Sequence, residues 1–315
     1  MQTRLIMVEG VPFTGKSTLS EFAAVQLDLN GYPAKWVPEG MMLNCYFPHV
    51  LAVLEHKQSI AEALLREDWS AFAQAVMAAP TTFVVDAALS FAAVYPLLAA
   101  DRPPAAISAE LERIAEVCAS LHPRIIHLTG DVGRIARASI VERGEGWQEH
   151  LVGQANASPY QQARGRSGVA GATSFLDDAQ ALTGVVLDDH GWQTLTLDVT
   201  ATDWDTNRRA VLGFLGIPEV LVNRPVVTRQ ELESYSGTYA ADEPRGSDTV
   251  SVRWEEDTLA MHGPRMRFGT LVPVSATRFH VMATRVDIEF VVEGGLARRL
   301  KLFTPDGTVH DFRRT

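Results

Sequence analysis

The chain is poor in lysine, in cysteine and in long apolar runs. Of its 28 basic residues only Lys16, Lys35, Lys57 and Lys301 are lysines, and the formal net charge is −10. Without a basic face, affinity for a nucleic-acid backbone is not expected. The two cysteines, Cys45 and Cys118, have neither metal-ligand spacing nor a disulfide framework, which fits a reducing compartment. No apolar run approaches a membrane span, and the chain starts into a core strand instead of a charged leader. A cytoplasmic location without a membrane partner is therefore expected. The histidines form no H-x-x-x-H or H-E-x-x-H pair, and there is no G-x-S-x-G turn. These absences argue against a dedicated metal hydrolase and a serine-nucleophile elbow.

What is present begins at once. The apolar run Leu5-Ile6-Met7-Val8 leads into Gly10-Val11-Pro12-Phe13-Thr14-Gly15-Lys16-Ser17-Thr18, which has the form G-x-x-x-x-G-K-S. A strand feeding a glycine-rich turn that opens a helix aims backbone N–H groups and the positive helix end at one point, which suits a polyphosphate. Gly10, Phe13, Thr14, Gly15, Lys16, Ser17 and Thr18 are thus the expected nucleotide cradle. Lys16 reaches the β/γ-phosphates and the Ser17 hydroxyl ligates Mg²⁺. With lysine so scarce, the one in this loop is not background.

The acidic excess is uneven. Residues 217–315 hold 13 basic and 14 acidic residues, which leaves 15 and 24 for residues 1–216. A polyanion must then be held there by a few placed cations and Mg²⁺, since the overall field does not attract it. Residues 1–216 read as alternating strands and helices. Strands are expected at 5–8, 34–37, 82–86, 125–128 and 195–199, and helices at 18–30, 60–79, 107–121, from about 132, near 174–187 and at 204–215. Such alternation predicts a parallel sheet covered on both faces, with ligands at the strand C-terminal ends. After Gly216-Ile217-Pro218 the pattern changes to short Val-, Thr-, Phe- and Arg-rich runs separated by turn signals. These are Asp242-Glu243-Pro244-Arg245-Gly246, His262-Gly263-Pro264, Glu293-Gly294-Gly295 and Pro305-Asp306-Gly307. The expected organisation is an α/β domain over 1–216, a connector over 217–227 and a small antiparallel all-β domain over 228–315.

Several side chains fall where this fold would put a site. Glu39 follows the second strand and Asp86 ends the third. An acid at such an end can hold Mg²⁺ or accept a proton from an acceptor hydroxyl. A helix N-cap is the other reading of Asp86, and a solvated turn the other reading of Glu39. Arg134 and Arg137 share a helix face and Arg143 stands at that helix end, where guanidinium groups could meet a transferring phosphoryl group or simply be solvated. Trp36, Trp147 and Tyr160 are candidates for lining an acceptor pocket.

Strand, glycine-rich loop, an acid after strand two, an acid after strand three and an Arg-bearing segment after strand four together resemble the P-loop kinases of small molecules. That group includes nucleoside kinases, thymidylate-kinase-like enzymes and some antibiotic phosphotransferases. The resemblance spans about residues 1–216 and implies a five-stranded parallel sheet, ATP and Mg²⁺ as cofactors, and an Arg-bearing lid. Pro38 stands where thymidylate kinases carry an arginine, Asp86-Ala87 replaces their Asp-Arg pair, and the Glu-Arg-Ser motif of deoxynucleoside kinases is absent there. In the tail, Leu232–Tyr239, Leu271-Val272-Pro273, Phe279 and Ile288-Glu289-Phe290 resemble the small β domain appended to some β-lactamase-like serine hydrolases, which implies the β fold alone. The expected activity is ATP-dependent phosphoryl transfer to a small-molecule hydroxyl. The alternative is a nucleotide-hydrolysing regulatory module whose β domain binds a partner.

Overall fold

The computed structural model describes residues 2–56, 60–156, 158–189, 191–201, 203–242, 249–255 and 257–315. Contacts divide the chain into two units, one of residues 1–138 and 149–220 and the other of 139–148 and 221–315. The sequence-based connector at 217–227 thus contains the break at Val220 and Leu221. The transfer of 139–148 to the second unit had no sequence signal.

In the first unit, β1 (Leu5–Gly10), β2 (Ala34–Val37), β3 (Thr82–Asp86), β4 (Arg124–Thr129) and β5 (Gln193–Asp198) form an all-parallel sheet in the order β2-β3-β1-β4-β5. Successive side chains of a strand point to opposite faces. Leu5, Met7, Val85 and Ile125 therefore pack on one face, while Ile6, Val8, Val84, Ile126 and Leu128 pack on the other.

The second of these faces is covered by α1 (Lys16–Leu29) and α11 (Trp204–Leu215), through Leu19, Ala23, Leu27, Val211 and Leu215. These residues recur at the helical period, which is why the sequence showed both helices. The first face is covered by α2 (Glu39–Tyr46), α3 (Pro48–His56), α4 (Glu62–Ala78), α5 (Tyr95–Ala99), α6 (Pro104–Cys118), α9 (Pro159–Ala163) and α10 (Gly168–Asp189). A π-helix, Ser90–Val94, runs directly into α5. Helices α7 (Val132–Arg143) and α8 (Glu145–Asn156) join the two units in sequence. Within the Gly/Ser/Arg-rich stretch after Arg143, α8, α9 and the start of α10 are helical, with Gly144 turning at φ 88°. Among the described residues, no helix is long and apolar enough to cross a membrane.

The C-terminal segment of the second unit begins with α12 (Arg229–Tyr235), a helix where the sequence pattern predicts only β structure. A capping box explains it: Thr228 and Glu231 exchange side-chain and backbone hydrogen bonds. Then β6 (Gly237–Ala241), β7 (Thr249–Glu255), β8 (Thr258–His262), β9 (Arg267–Pro273), β10 (Arg278–Val281), β11 (Asp287–Glu293), β12 (Leu296–Phe303) and β13 (Val309–Arg314) form an antiparallel barrel closed between β13 and β6. Closure removes the free sheet edges. Alternate residues such as Val250, Val252, Ile288 and Phe290 fill the interior around Tyr235, Tyr239 and Phe279. Three of the four expected turns fall between paired strands, and residues 243–246 of the fourth lie outside the described residues.

Candidate functional site

At the carboxyl end of β1, Gly10 stands at φ 148° and Gly15 at φ 84°, with Phe13 at φ 73° between them. Both glycines are also needed for room. A Cβ on Gly10 would lie 2.6 Å from the Leu128 carbonyl oxygen, and one on Gly15 would lie 2.0 Å from the Trp204 ring. Trp204, the first residue of α11, thus seals one side of the loop. Inside the turn, the Val11 carbonyl accepts from the Thr14 hydroxyl at 2.8 Å and from the Lys16 ammonium at 3.0 Å.

Ser17, in the first turn of α1, donates to Asp86 Oδ2 at 2.5 Å. Asp86 is buried, and its Oδ1 has no hydrogen-bond partner. Burial pushes this carboxyl above its ordinary range, opposed by the Lys16 charge and the Ser17 hydroxyl. An orphaned buried polar atom costs about 1–3 kcal/mol, so the site carries a deficit that a cation or donor would relieve. Just after Asp86 the backbone departs from regular geometry. Ala87 has φ 58°, unusual for a residue with a Cβ, and the chain continues through the π-helix.

That irregular turn is held by Glu9, which the sequence reading passed over. Glu9 is fully buried on β1, and its carboxylate accepts the N–H groups of Leu89 and Ser90 at 2.9 Å each and the Ser90 hydroxyl at 2.7 Å. Burial raises its pKa, opposed by those three donors and by Lys16. The N-cap reading of Asp86 is corrected by this arrangement, since Glu9 takes the helix N–H groups and leaves Asp86 to Ser17. The signal was legible: an acid within an apolar strand, immediately before the loop, needs donors.

Glu39 opens α2 just beyond β2 and is half-buried. Together with Glu9 it acts on the Tyr95 hydroxyl. Burial first, then Glu39, then Glu9, push that phenol well above its ordinary range. Tyr95 Oη has no hydrogen-bond partner. Its ring packs on Phe91 with centroids 4.8 Å apart, and on Phe175 at 5.8 Å. Phe175 in turn meets Tyr160 at 5.9 Å, and Lys16 Nζ stands 6.0 Å from the Phe91 centroid. Tyr160 is therefore brought into one row of rings with the loop lysine.

The other expected residues lie on several elements. Trp36 packs on the α1 face of the sheet and donates from its indole to Ser20 at 2.9 Å, so it lies on the opposite face from Tyr95. Thr18 is half-buried in α1 beside Ser17. Arg134 and Arg137 are exposed on the first turns of α7, where Asp131 accepts the Arg134 N–H. Arg143 and Trp147 belong to the second unit, where the Arg143 guanidinium stands 5.4 Å from the Trp147 ring centroid. There Trp147 donates to Ser139 at 3.0 Å and Glu142 pairs with Arg267 at 3.2 Å.

On β4, His127 sits beside Glu9 in the sheet register, buried, with Nε2 lacking a partner. Burial lowers its pKa to about 4, opposed by Asp188. Among the described residues, no group of three or more His, Cys, Asp or Glu side chains gathers as a metal site. No protein-family model matches the chain, and no curated protein matches it.

Proposed function

We propose that the first unit is an ATP-dependent phosphotransferase that uses Mg²⁺ and delivers a phosphoryl group to a hydroxyl of a small-molecule acceptor. The observation that carries this reading is the junction of loop and strand end. There Ser17 is bonded to a buried Asp86 with one orphaned oxygen, beside glycines whose backbone has no room for a side chain. Oxygen ligands of this kind fit Mg²⁺, which takes one or two protein ligands and leaves its other positions to water and phosphate. Ser17 and Asp86 would hold the metal. The backbone from Gly10 to Thr18 and the Lys16 ammonium would hold the nucleotide phosphates. When bound, the metal supplies charge neutralisation on those phosphates.

The protein's own groups carry the remaining roles. Glu39, the first residue of α2 just beyond β2, takes the proton of the acceptor hydroxyl. Arg134 and Arg137, beyond the end of β4, offer planar donors to the transferred group. The strand order supports the reading as well. The chain crosses over β1 to reach β4, and open α/β sheets bind ligands at such a switch point, outside the strand carboxyl ends.

The test uses the purified full chain with ATP, Mg²⁺ and a panel of nucleosides, amino sugars and other small alcohols. One alcohol is expected to raise ATP consumption and to leave carrying the phosphoryl group. ATP hydrolysis that no alcohol alters would favour the alternative, a nucleotide-hydrolysing module whose β domain binds a partner.

A further inference from the structure

The residues after Asp86 form an apolar stretch whose polar exceptions are all bonded except one. Ser90 is taken by Glu9, and along the ring row Tyr160 donates to Asp178 at 2.9 Å. At that far end the charges are paired off as well, Arg166 with Asp178 at 2.6 Å and Arg164 with Asp101 at 2.7 Å. Tyr95 differs. Its ring is locked between Phe91 and Phe175, while its hydroxyl is buried without a partner on the sheet face that also carries Glu9. Buried polar groups are almost always satisfied, so an orphan beside a candidate site calls for a ligand to complete it.

We propose that Tyr95 is the acceptor-recognition residue of this site, donating its hydroxyl to a ring-bearing alcohol that is neutral or amine-bearing and carries no phosphate or carboxylate. The proposal rests on the phosphotransferase reading for the identity of the site. Three observations select the class. The rings of Phe91, Tyr95, Phe175 and Tyr160 follow one another tilted or edge to face in an unbroken apolar row leading away from Lys16, which suits the apolar body of a ring-bearing molecule. Glu9 is buried on the sheet face against which Tyr95 packs, Glu39 opens α2 on that same face, and both act on the Tyr95 hydroxyl, so a third negative group placed there would be repelled. Burial above all, and then the two carboxylates, raise the phenol further above its ordinary range, so it remains a donor at physiological pH. An amine is tolerated by this environment, since carboxylates and ring faces both attract it.

The experiment measures equilibrium binding of adenosine, thymidine and kanamycin, and of adenosine and thymidine 5′-monophosphates, to the full chain and to its Tyr95→Phe variant. Mg²⁺-ATP affinity is measured separately for each. Tyr95→Phe keeps the row of rings and removes only the hydroxyl. The expected result is binding of at least one of the three alcohols in preference to the monophosphates. For that alcohol the variant should bind about 10-fold more weakly, with Mg²⁺-ATP affinity unchanged. In turnover the loss should fall on KM for the alcohol, with kcat held. Preference for a monophosphate, equal alcohol binding by the variant, or no alcohol binding at all would overturn the proposal. Failure of Mg²⁺-ATP to bind would instead sink the phosphotransferase reading, and the alcohol measurements would still decide the role of Tyr95.

Discussion

In the barrel, the buried Tyr239 donates to the Tyr235 carbonyl at 2.6 Å and Tyr235 donates to the Ala276 carbonyl at 2.9 Å, whereas in the first unit the Tyr95 hydroxyl is buried with no partner. The contrast extends to charge. The barrel interior is a packed set of rings and aliphatic chains, with Tyr235 stacked on Phe290 at 4.5 Å. The first unit buries Glu9, Lys16, Asp86 and His127 around the carboxyl ends of its central strands. Buried charge and orphaned polar atoms oppose folding, and they persist where the surrounding structure holds them for another purpose. The tyrosines of the barrel interior are thus satisfied, whereas the first unit carries an unsatisfied centre at its strand ends.

The largest effect that would sharpen this contrast is at the carboxylates. Glu39→Gln keeps shape and hydrogen bonding but removes the proposed base, so Mg²⁺-ATP binding should survive while single-turnover transfer falls by about 10²–10⁴-fold. Asp86→Asn should weaken Mg²⁺ dependence and nucleotide binding together. The reverse pattern would exchange their roles. In the barrel, Phe290→Ala should cost about 3–5 kcal/mol in stability and leave Mg²⁺-ATP affinity intact, as read by denaturant unfolding and nucleotide titration. A fall in affinity would show that the two units do not behave separately.

A smaller effect concerns pH. His127 has its basicity lowered to about 4 in the fold, so between that value and its ordinary 6.5 the unfolded chain binds a proton that the native state does not. Its contribution is therefore present above pH 6.5 and lost as pH falls toward 4, at up to about 1.4 kcal/mol per pH unit. Glu9 and Asp86 act in the opposite sense. Their carboxyls are raised, so their contribution is complete below their ordinary values and lost as pH rises through the raised ones. Urea unfolding of His127→Gln between pH 4 and 7 isolates the histidine, and an unchanged slope would remove it as the cause. The smallest expected effect is the most diagnostic of the contrast. Tyr239→Phe breaks a made hydrogen bond and should cost about 1 kcal/mol, while Tyr95→Phe removes an orphan and should be neutral or slightly stabilising.

Much of the first unit was legible because its strands are short apolar runs and its flanking helices repeat at the helical period. Ala34–Val37, Thr82–Asp86 and Trp204–Leu215 match the residues read from the sequence. The helices at 39–56 were not read, since Pro38, Gly40 and Pro48 mark turns by local chemistry and only packing against α4 and β3 makes the intervening residues helical. The π-helix and α5 were hidden for another reason: residues 87–100 are apolar on every side, so no period distinguishes a buried face. Of the candidate site, the loop, Asp86, Glu39 and Tyr160 were visible as motif or position. Tyr95 was not, because its meaning depends on Glu39 and Glu9 arriving from other elements. Trp204 was seen only as a helix start, and its cover over Gly15 follows from the fold. In the barrel, turn residues marked most strand ends, while closure by pairing of β13 with β6 had no local signal.

On the proposed function, the unsatisfied centre of the first unit moves a phosphoryl group from ATP to an alcohol. This transfer is tested most directly by mass spectrometry of the alcohols recovered after incubation with ATP and Mg²⁺, using the full chain and its Lys16→Ala variant side by side. With the native protein, one alcohol is expected to gain a single phosphoryl group. With Lys16→Ala the rate should fall by about 10²–10³-fold, through loss of a cation that acts on phosphate charge. Transfer at the native rate by Lys16→Ala, or ATP consumed with no alcohol modified, would contradict the proposed function.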